Sequence, residues 1–297
     1  MHRAKNSHKR CLCYVWPMRI RYFGWSSLAL EAPNATLAFD PFFRPYCGAQ
    51  WSSIDDYADA KVVCVTHGHE EHFLDTPEVV RRSGATVVSS ESACRFLARR
   101  SGISAAQLRP AIPLQPVEVA GFRITTFGWQ HRDINLPAAF TKAVFGGNAT
   151  QLKWFWSSLT QAPFYAPYTG FHVELPDGTT VLNYNEGFNT KMTDAEIGAL
   201  GGRFKVDVLL AGMQLNFMAD LARGVAALKP RAVVLYPPHE KFHEMMGARS
   251  APWAEFVKAA QSAAPGAVVL AAQPGDVFEF RAGEAKPLRR AAEAAAA

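Results

Sequence analysis

Residues 61–72 read KVVCVTHGHEEH, and this segment carries the strongest functional pattern in the chain. Its first five residues are almost wholly apolar, which is typical of a β-strand that is covered on both faces. Three of the nine histidines and two carboxylates follow within six residues. Imidazole and carboxylate groups suit Zn, Fe and Mn, and sites in α/β proteins are built on loops at strand ends. The segment therefore predicts a metal site at a sheet edge.

The spacing inside this segment indicates how the ligands are shared. His67 and His69 lie two residues apart, so on an extended segment their rings point to the same side and can share one cation. A helix then begins, and it places Glu71 and His72 on a different side of the loop. One short loop could thus begin two metal sites a few ångströms apart. The alternative is a solvated loop that holds histidines by chance, but three histidines in six residues argue against it.

Further ligands have to come from other parts of the chain. His131 and His239 each follow a predicted strand, so both belong at the same sheet edge as the main segment. Glu186 also follows a strand end and is a candidate bridging carboxylate, with a plain turn residue as the alternative. His172 lies inside a predicted strand and is interpreted as a core residue or a support for a ligand. His243, four residues after His239, is expected at the surface or in support of a ligand.

The rest of the pattern predicts a layered α/β domain. Short apolar or alternating runs indicate strands at 19–23, 28–31, 36–39, 61–65, 85–89, 116–119, 122–127, 171–175, 179–184, 206–211, 232–236, 267–271 and 277–280. Helices are predicted at 76–83, 91–100, 217–228 and 251–262, and the capping-box sequence Thr193-Asp194-Ala195-Glu196 opens another. Each half runs from strands to a strand–helix alternation, which favours one domain built from two similar halves.

The composition excludes several other classes of protein. Hydrophobic residues make up 49% and charged residues 19%, which allows a large core and excludes a mainly disordered chain. No apolar run approaches the roughly 20 residues of a membrane span. Residues 1–17 carry four of the five net positive charges, so the rest of the chain is nearly neutral. A nearly neutral body argues against nucleic acid as a partner.

The two ends of the chain are expected to lie outside the domain. Residues 1–17 are predicted to be a disordered leader. They are not expected to be a signal peptide, because their apolar stretch is too short and Pro17 interrupts it. Met18 is an alternative start. Five cysteines, an odd count, without an export signal favour a reduced, cytoplasmic protein. The domain is then expected over 18–282, and the alanine-rich tail at 283–297 is expected to fray.

The segment at about 132–169 shows no clean period and is dense in aromatic residues. A loop of this length inside a compact domain is usually a lid or a binding loop. Because it lies between the candidate ligands His131 and Glu186, it should hang over the metal edge. Its aromatic side chains could line an apolar pocket, touch a membrane surface or pack as a lid on their own core. An apolar mouth favours a small-molecule substrate with an acyl or aromatic portion.

The segment His67-Gly68-His69-Glu70-Glu71-His72 resembles the His-x-His-x-Asp-His signature of the metallo-β-lactamase fold superfamily. The resemblance is to its branch of L-ascorbate-6-phosphate lactonase-like and N-acyl-phosphatidylethanolamine phospholipase D-like hydrolases. Residues 21–24 (RYFG) and 38–42 (AFDPF) are similar to that family's opening strands, and residues 229–239 (KPRAVVLYPPH) to the stretch before its last histidine. The resemblance covers roughly residues 18–280.

This resemblance implies a four-layer αββα sandwich with a dinuclear site at one edge. It implies a first metal held by His67, His69 and His131, and a second held by Glu71, His72 and His239. Glu186 would bridge the two, and Glu71 and Glu186 would be the catalytic carboxylates. Two divalent ions are implied, with Zn as the first expectation and Fe or Mn as alternatives. A water between the metals, its pKa lowered toward neutrality, would attack a lactone, ester or phosphodiester.

The sequence departs from the family pattern at three places. Glu71 and Glu186 stand where the family carries aspartate, so each carboxylate has one extra methylene. The segment Gly24-Trp25-Ser26-Ser27 stands where many relatives carry Gly-His. The site could therefore be wider, could prefer Fe or Mn, or could have lost one metal. A di-iron redox protein or oxygenase and a non-catalytic family member are the alternatives to a hydrolase.

Overall fold

The computed structural model describes residues 17–133, 141, 144–147, 149–281 and 284–289. The predictions for residues 1–16 and 290–297 lie outside these residues. The chain forms strands β1 (Met18–Gly24), β2 (Ser27–Ala32), β3 (Ala35–Phe39), β4 (Ala60–Cys64), β5 (Thr86–Ser89), β6 (Leu108–Pro110), β7 (Pro116–Val119), β8 (Phe122–Gly128), β9 (Thr169–Glu174), β10 (Thr180–Asn185), β11 (Val208–Gly212), β12 (Ala232–Tyr236), β13 (Val268–Ala271), β14 (Val277–Arg281) and β15 (Glu284–Arg289).

The α-helices lie between these strands. They are α1 (Glu70–Phe73), α2 (Thr76–Ser83), α3 (Glu91–Ser101), α4 (Ala149–Gln161), α5 (Asp194–Arg203), α6 (Met218–Leu228), α7 (Glu240–Met245) and α8 (Trp253–Ala263). Short 3-10 helices cover Ile54–Tyr57 and Ala105–Gln107. Among the described residues, no helix is long and apolar enough to cross a membrane.

The strands form two sheets that face each other. Within the described residues, the first sheet has the order β15-β14-β1-β2-β3-β4-β5-β6 and the second the order β13-β12-β11-β10-β9-β8-β7. A core of buried side chains fills the space between them, where the rings of Phe39 and Phe171 are 6.0 Å apart. Close-packed apolar surface of this extent is the main stabilising term of such a sandwich.

Helices cover the outer face of each sheet. Val79 of α2 and Leu97 of α3 pack in one buried cluster with Val63 of the first sheet. Leu221 of α6 and Phe256 of α8 pack in another cluster with Leu209 of the second sheet. Four layers follow, in the order helix, sheet, sheet, helix, which confirms the predicted αββα architecture.

The local signals explain where several elements begin. Thr193 caps α5, because its hydroxyl accepts from the Glu196 backbone N–H while the Glu196 carboxylate accepts from Thr193, as the capping-box sequence predicts. Pro77 lies in the first turn of α2, where its missing N–H costs nothing. Gly84 ends that helix in the left-handed conformation, with φ of 71°.

The structure corrects two predictions about irregular segments. The tail does not fray over Glu284–Arg289, because this segment pairs antiparallel with β14 as an edge strand. Backbone pairing at a sheet edge needs no apolar pattern, so residue types alone do not predict this strand. The segment at 132–169 contains the helix α4, although no helical period was evident. Trp154 and Phe155 of α4 are buried while Trp156 and Leu159 are exposed, so apolar residues occupy both faces and hide the period.

The topology brings several strand ends to one edge. β3 and β4 are parallel neighbours in the first sheet, and β10, β11 and β12 are parallel neighbours in the second. β8 runs in the same direction as β10, because both are antiparallel to β9. The loops after β3, β4, β8, β10 and β12 therefore meet at one edge of the sandwich. Every candidate ligand predicted from the sequence lies on one of these loops.

Candidate metal centre

Three histidine rings meet at the ends of β4 and β8. Nε2 of His67 lies 3.0 Å from Nδ1 of His69, so the two rings point into a shared space as their spacing predicts. His131 joins them from the loop after β8, and one ring nitrogen from each of the three lies within 4.8 Å of the others. Nitrogen ligands at about 2.0–2.1 Å from a common ion have separations of this order.

A second group of donors forms on the other side of the same loop. Glu71 and His72 lie in α1, and His239 reaches them from the end of β12. Nδ1 of His239 lies 3.5 Å from Oε1 of Glu71. One donor atom from each of the three lies within 4.8 Å of the others. The segment HGHEEH thus contributes to two adjacent groups of donors.

Glu186 lies between the two groups. Its Oε1 is 3.0 Å from Nε2 of His72, and its Oε2 is 3.1 Å from Nε2 of His131. The same carboxylate also contacts Nε2 of His239. Glu186 therefore contacts histidines of both groups at once, which is the position that a bridging carboxylate would occupy.

The donor atoms are better suited to binding a metal ion than to forming hydrogen bonds with one another. The seven side chains are buried, and four of their donor atoms make no hydrogen bond of ordinary geometry with the described residues, although three of the four lie within 3.5 Å of another donor atom. These atoms are Nε2 of His69, Nε2 of His72, Nδ1 of His239 and Oε2 of Glu186. Buried polar atoms without partners are costly. Divalent cations held by these groups would compensate this crowding of buried donors, and a mixed nitrogen and oxygen donor set suits Zn, Fe or Mn.

The electrostatics of His67, His69 and Glu186 favour the protonation states that bind metals. Burial, together with the neighbouring histidines, holds the pKa of His67 and of His69 well below the usual value, so both rings are neutral near pH 7. Burial alone would raise the pKa of Glu186. The electrostatic attraction of His239 and the close contacts of His131, His239 and His72 with the carboxylate outweigh burial and hold that pKa well below its usual value. Neutral imidazoles and an ionised carboxylate are the forms that bind cations.

A buried polar network behind His72 fixes its ring. Oδ2 of Asp40 lies 2.7 Å from Nδ1 of His72, so Nδ1–H donates and Nε2 is left to face Glu186. Asp40 in turn accepts from the Thr66 backbone N–H at 2.7 Å and from Nδ2 of Asn185 at 3.0 Å. Burial would lower the pKa of His72, but Asp40 and Glu186 raise it to about 10, so this position stabilises positive charge. Carboxylates that support metal-binding histidines act in this way.

Asp40 and Asn185 belong to the site, although no sequence pattern predicted a role for either residue there. The one local signal was the Asp40-Pro41 pair that ends a strand, and Asn185 directly precedes Glu186. Both residues have positive φ angles, 42° for Asp40 and 49° for Asn185. Asparagine and aspartate adopt this conformation more readily than most residues, which suits them to sharp turns at strand ends.

The helix α4 covers the site. Nε1 of Trp154 donates to Oε2 of Glu71 at 3.3 Å, and the Ser157 hydroxyl donates to the carboxylate of Glu70. The ring of Phe164, beyond α4, lies 5.0 Å from the ring of His69. The aromatic segment therefore both packs on the site and lines a pocket, while Trp156 and Tyr165 remain 68% and 86% exposed. Contact of these exposed rings with a membrane surface stays a prediction.

A cavity of about 250 Å³ opens beside the donor groups. Four ligand candidates, His69, Glu71, His131 and His239, line one side together with Glu186. The remaining lining is mainly apolar and comes from α4, α7 and the loops next to them. Its residues are Arg132, Gln151, Trp154, Phe155, Leu215, Phe242, His243, Met246 and Ala248.

His172 and His243, the two described histidines outside the candidate ligands, have different environments. His172 is buried in β9, where its Nε2 lies 2.9 Å from the Lys205 carbonyl oxygen and its ring stacks on Phe204, which confirms the core interpretation. His243 is 4% exposed and lines the cavity, so its expected surface position is wrong. The loop after α7 brings Ser250 to within 3.3 Å of Nδ1 of His243 and closes over the ring. Burial lowers the pKa of His243 to about 3, so its ring is neutral.

Trp25 lies in the segment Gly24–Ser27, where the sequence analysis predicted a departure from the family pattern. It is 2% exposed and packs against Phe42, Tyr46 and Trp51, so it belongs to an aromatic cluster beside the site rather than to the donor set. The next residue, Ser26, donates to Oδ1 of Asn185 at 3.3 Å and extends the polar network. The departure therefore replaces a possible polar group by aromatic packing.

The sandwich and its histidine-rich edge define an enzyme with the metallo-β-lactamase fold. The family model for the β-lactamase superfamily domain matches residues 19–235, well over half of the chain. The chain therefore belongs to the β-lactamase superfamily.

Named relatives agree with this assignment. A UPF0173 metal-dependent hydrolase of Shouchella clausii (strain KSM-K16) is 25% identical over 201 residues, which cover 67% of this chain and 75% of the relative. Another of Methanosphaera stadtmanae is 35% identical over 91 residues, or 30% of this chain and 37% of the relative. A metallo hydrolase of the archaeon Ignicoccus hospitalis KIN4/I superposes with a TM-score of 0.65 at 20% identity, over 90% of this chain and 99% of that one.

Proposed function

We propose that the protein is a metal-dependent hydrolase with a dinuclear site. His67, His69 and His131 would hold one cation, Glu71, His72 and His239 the other, and Glu186 would bridge them. The observation that carries the proposal is the contact of the buried Glu186 carboxylate with three histidines that belong to both groups. The names of the Shouchella and Methanosphaera relatives support it.

The chain's own residues would prepare the reaction. Divalent cations at such a site supply a polarised carbonyl or phosphoryl oxygen and a water of lowered pKa. Asp40 would hold the tautomer of His72, and Asn185 would hold Asp40. The Trp154 indole and α4 would exclude bulk water from the donor groups. Glu186, with its low pKa, would remain ionised throughout.

The cavity supports a substrate with an apolar portion. Trp154, Phe155, Leu215 and Phe242 line it next to the donor groups, so an acyl or aryl group would lie on them while the scissile bond faces the metals. We propose a lactone, an ester or a phosphodiester as the substrate. A cytoplasmic location is part of the proposal, and the free thiols of Cys47, Cys64 and Cys94 support it.

A di-iron redox function is the second candidate. Two glutamates in place of aspartate favour it, because a longer carboxylate changes the geometry at both metals and oxygen ligands suit iron. The buried, partly aromatic cover would serve oxygen chemistry as well as hydrolysis. The two candidates therefore differ in the metal that they need.

Metal analysis separates these candidates. The protein is purified without added metal, and its metal content is measured by inductively coupled plasma mass spectrometry with a visible absorption spectrum. Two equivalents of zinc, with hydrolysis of at least one member of an ester, lactone and phosphodiester panel, are the expected result. Tightly held iron with visible absorption would favour the redox function. Protein that binds no metal, even when zinc is supplied, would refute both.

A further inference from the structure

The cavity beside the candidate metal centre contains an arginine that the proposed reaction does not yet use. Arg132 directly follows His131 in the chain and lines the cavity on the side of Phe242 and His243. Its Nε–H donates to Oε1 of Gln214 at 3.2 Å, and its Nη2 lies 3.3 Å from Nε2 of His243. Two contacts on different nitrogens fix the plane of the guanidinium group.

Both partners of Arg132 are neutral. Gln214 is an amide, and His243 is buried as the neutral ring whose Nε2 accepts from Arg132 while its Nδ1 faces Ser250. Among the residues that the structure describes, no carboxylate forms an ion pair with Arg132. The carboxylates that line the cavity, Glu71 and Glu186, face histidines instead. The positive charge of Arg132 is thus oriented within the described part of the protein but not balanced.

Within the described residues, several N–H donors of Arg132 and its partner Gln214 remain unused. A guanidinium has five N–H donors in a fixed fork, and the contacts with Gln214 and His243 account for two. Gln214 is 1% exposed, and its own amide nitrogen has no hydrogen-bond partner among the described residues. Arg132 is half-buried, so its charge is partly desolvated, and an opposite charge with hydrogen bonds would stabilise it against the apolar lining. An anion in the cavity would supply both.

We propose that Arg132 binds a carboxylate of the substrate, so that the preferred substrate is a small ester or lactone that carries a carboxylate and an apolar group. The reaction itself rests on the proposed function. Arg132 is the one lysine or arginine among the described residues that line the cavity. One guanidinium matches the single charge and planar fork of a carboxylate better than the double charge of a phosphate. The volume, about 250 Å³, limits the ligand to a small molecule.

The first experiment measures selectivity with the metal-loaded protein. The substrates are para-acetoxybenzoate, its neutral counterpart para-acetoxybenzamide, and para-acetoxyphenyl phosphate, and the readout is kcat/KM for each. We expect the carboxylate to exceed the amide by about ten- to one-hundredfold, the range of a charge-assisted hydrogen-bond pair. Equal rates for carboxylate and amide, or a preference for the phosphate, would overturn the proposal.

Two variants assign the selectivity to Arg132. Arg132→Met removes the charge, and Gln214→Glu keeps it but places a competing carboxylate on its Nε. Both should reduce the carboxylate-to-amide ratio to near one. Gln214→Glu also covers the case in which Arg132→Met fails to fold, as judged by circular dichroism. Lys191→Met is the matched control, because Lys191 pairs with the neighbouring Asp133 outside the cavity lining and should leave the ratio unchanged. A ratio that survives both cavity variants would overturn the proposal.

A binding experiment separates this proposal from the proposed reaction. Isothermal titration calorimetry on the metal-loaded protein compares the affinities for benzoate and benzamide. It needs no turnover. We expect wild type to bind benzoate at least tenfold more tightly, and Arg132→Met to lose that difference. Arg132-dependent binding without hydrolysis of any ester would keep the carboxylate site and refute the reaction. Benzoate binding that is unchanged in Arg132→Met would show coordination elsewhere and refute the site.

Discussion

Oδ2 of Asp40 lies 2.7 Å from Nδ1 of His72, although 32 residues separate them in the chain. The aspartate directs Nε2 of the histidine toward Glu186. Replacing Asp40 by asparagine keeps the shape but removes the charge that raises the pKa of His72. We therefore expect Asp40→Asn to weaken metal affinity by about ten- to one-hundredfold, measured by competition with a chromogenic chelator.

Asp207 provides the control for this variant. It is another buried aspartate, but it accepts hydrogen bonds from Thr180 at the start of β10, away from the donor groups. Asp207→Asn should lower thermal stability and leave metal affinity near that of wild type. Equal metal affinity in Asp40→Asn and wild type would show that Asp40 has no role in holding the histidine.

His69→Ala should abolish both metal retention and activity. His69 belongs to the group with His67 and His131, and its Nε2 is one of the unpartnered donor atoms. Its removal leaves that cation with two histidines and a carboxylate that it shares with the other cation, one protein ligand fewer than in the proposed site. Metal content and ester hydrolysis are measured together, with circular dichroism as the folding check. A folded His69→Ala protein with full activity would contradict the proposed ligand set.

Gly68 should tolerate no side chain. A Cβ added at this position would lie 2.0 Å from the backbone oxygen of Pro163, in the segment that follows α4. Gly68→Ala therefore has to displace either the metal loop or its cover, and we expect a loss of about 1–3 kcal/mol in the free energy of unfolding. Chemical denaturation measures this loss, and metal retention should fall with it.

Gly198→Ala is the matched control for Gly68→Ala. Gly198 lies inside α5, and an added Cβ would meet nothing within 4 Å. Alanine at such a helical position should be neutral or stabilise by up to about 1 kcal/mol. Similar effects of the two substitutions would mean that the contact between Gly68 and Pro163 is not tight in solution.

His172 should make stability depend on pH below its usual pKa. Burial lowers the pKa of His172 in the folded state, and the hydrogen bond to the Lys205 carbonyl offsets this only in part. Between the lowered pKa and the unfolded value, about 6.5, the unfolded chain binds more protons. Stability is therefore unaffected by this group above that window and falls as the pH falls through it.

Comparing wild type with His172→Gln isolates this effect. The free energy of unfolding is measured by urea denaturation at several pH values from neutral to mildly acidic. The variant should lose less stability than wild type on acidification, because glutamine does not titrate. Parallel pH profiles for the two proteins would assign the acid sensitivity to other groups.

The sequence was sufficient for much of the fold because the informative patterns are local. The apolar run 61–65 and the capping box at Thr193 each lie within a few residues, and both predicted the elements that the structure contains. The tail strand β15 and the helix α4 were missed for the opposite reason. β15 exists because β14 offers a free edge, and α4 places apolar residues on two faces.

The site was predictable where residue type and strand position coincide. All seven ligand candidates come together at one edge, because each follows the end of a strand that runs in the same direction. Asp40 and Asn185 were missed because their contacts join distant parts of the chain. The hydrogen bond between them spans 145 residues, and no local pattern indicates it. Arg132 was missed because its position in a cavity depends on α7 and on Gln214, 82 residues away.

The donor atoms at the sandwich edge come from both sheets: the HGHEEH segment follows the first, while His131, Glu186 and His239 follow the second. Cations bound there would link the two sheets, because their ligands come from loops of both. By mass action, any ion that binds only the folded state raises the free energy of unfolding. The metal concentration would then set the stability of the folded protein as well as its catalysis. Chelation would weaken the contact between the two sheets at this edge.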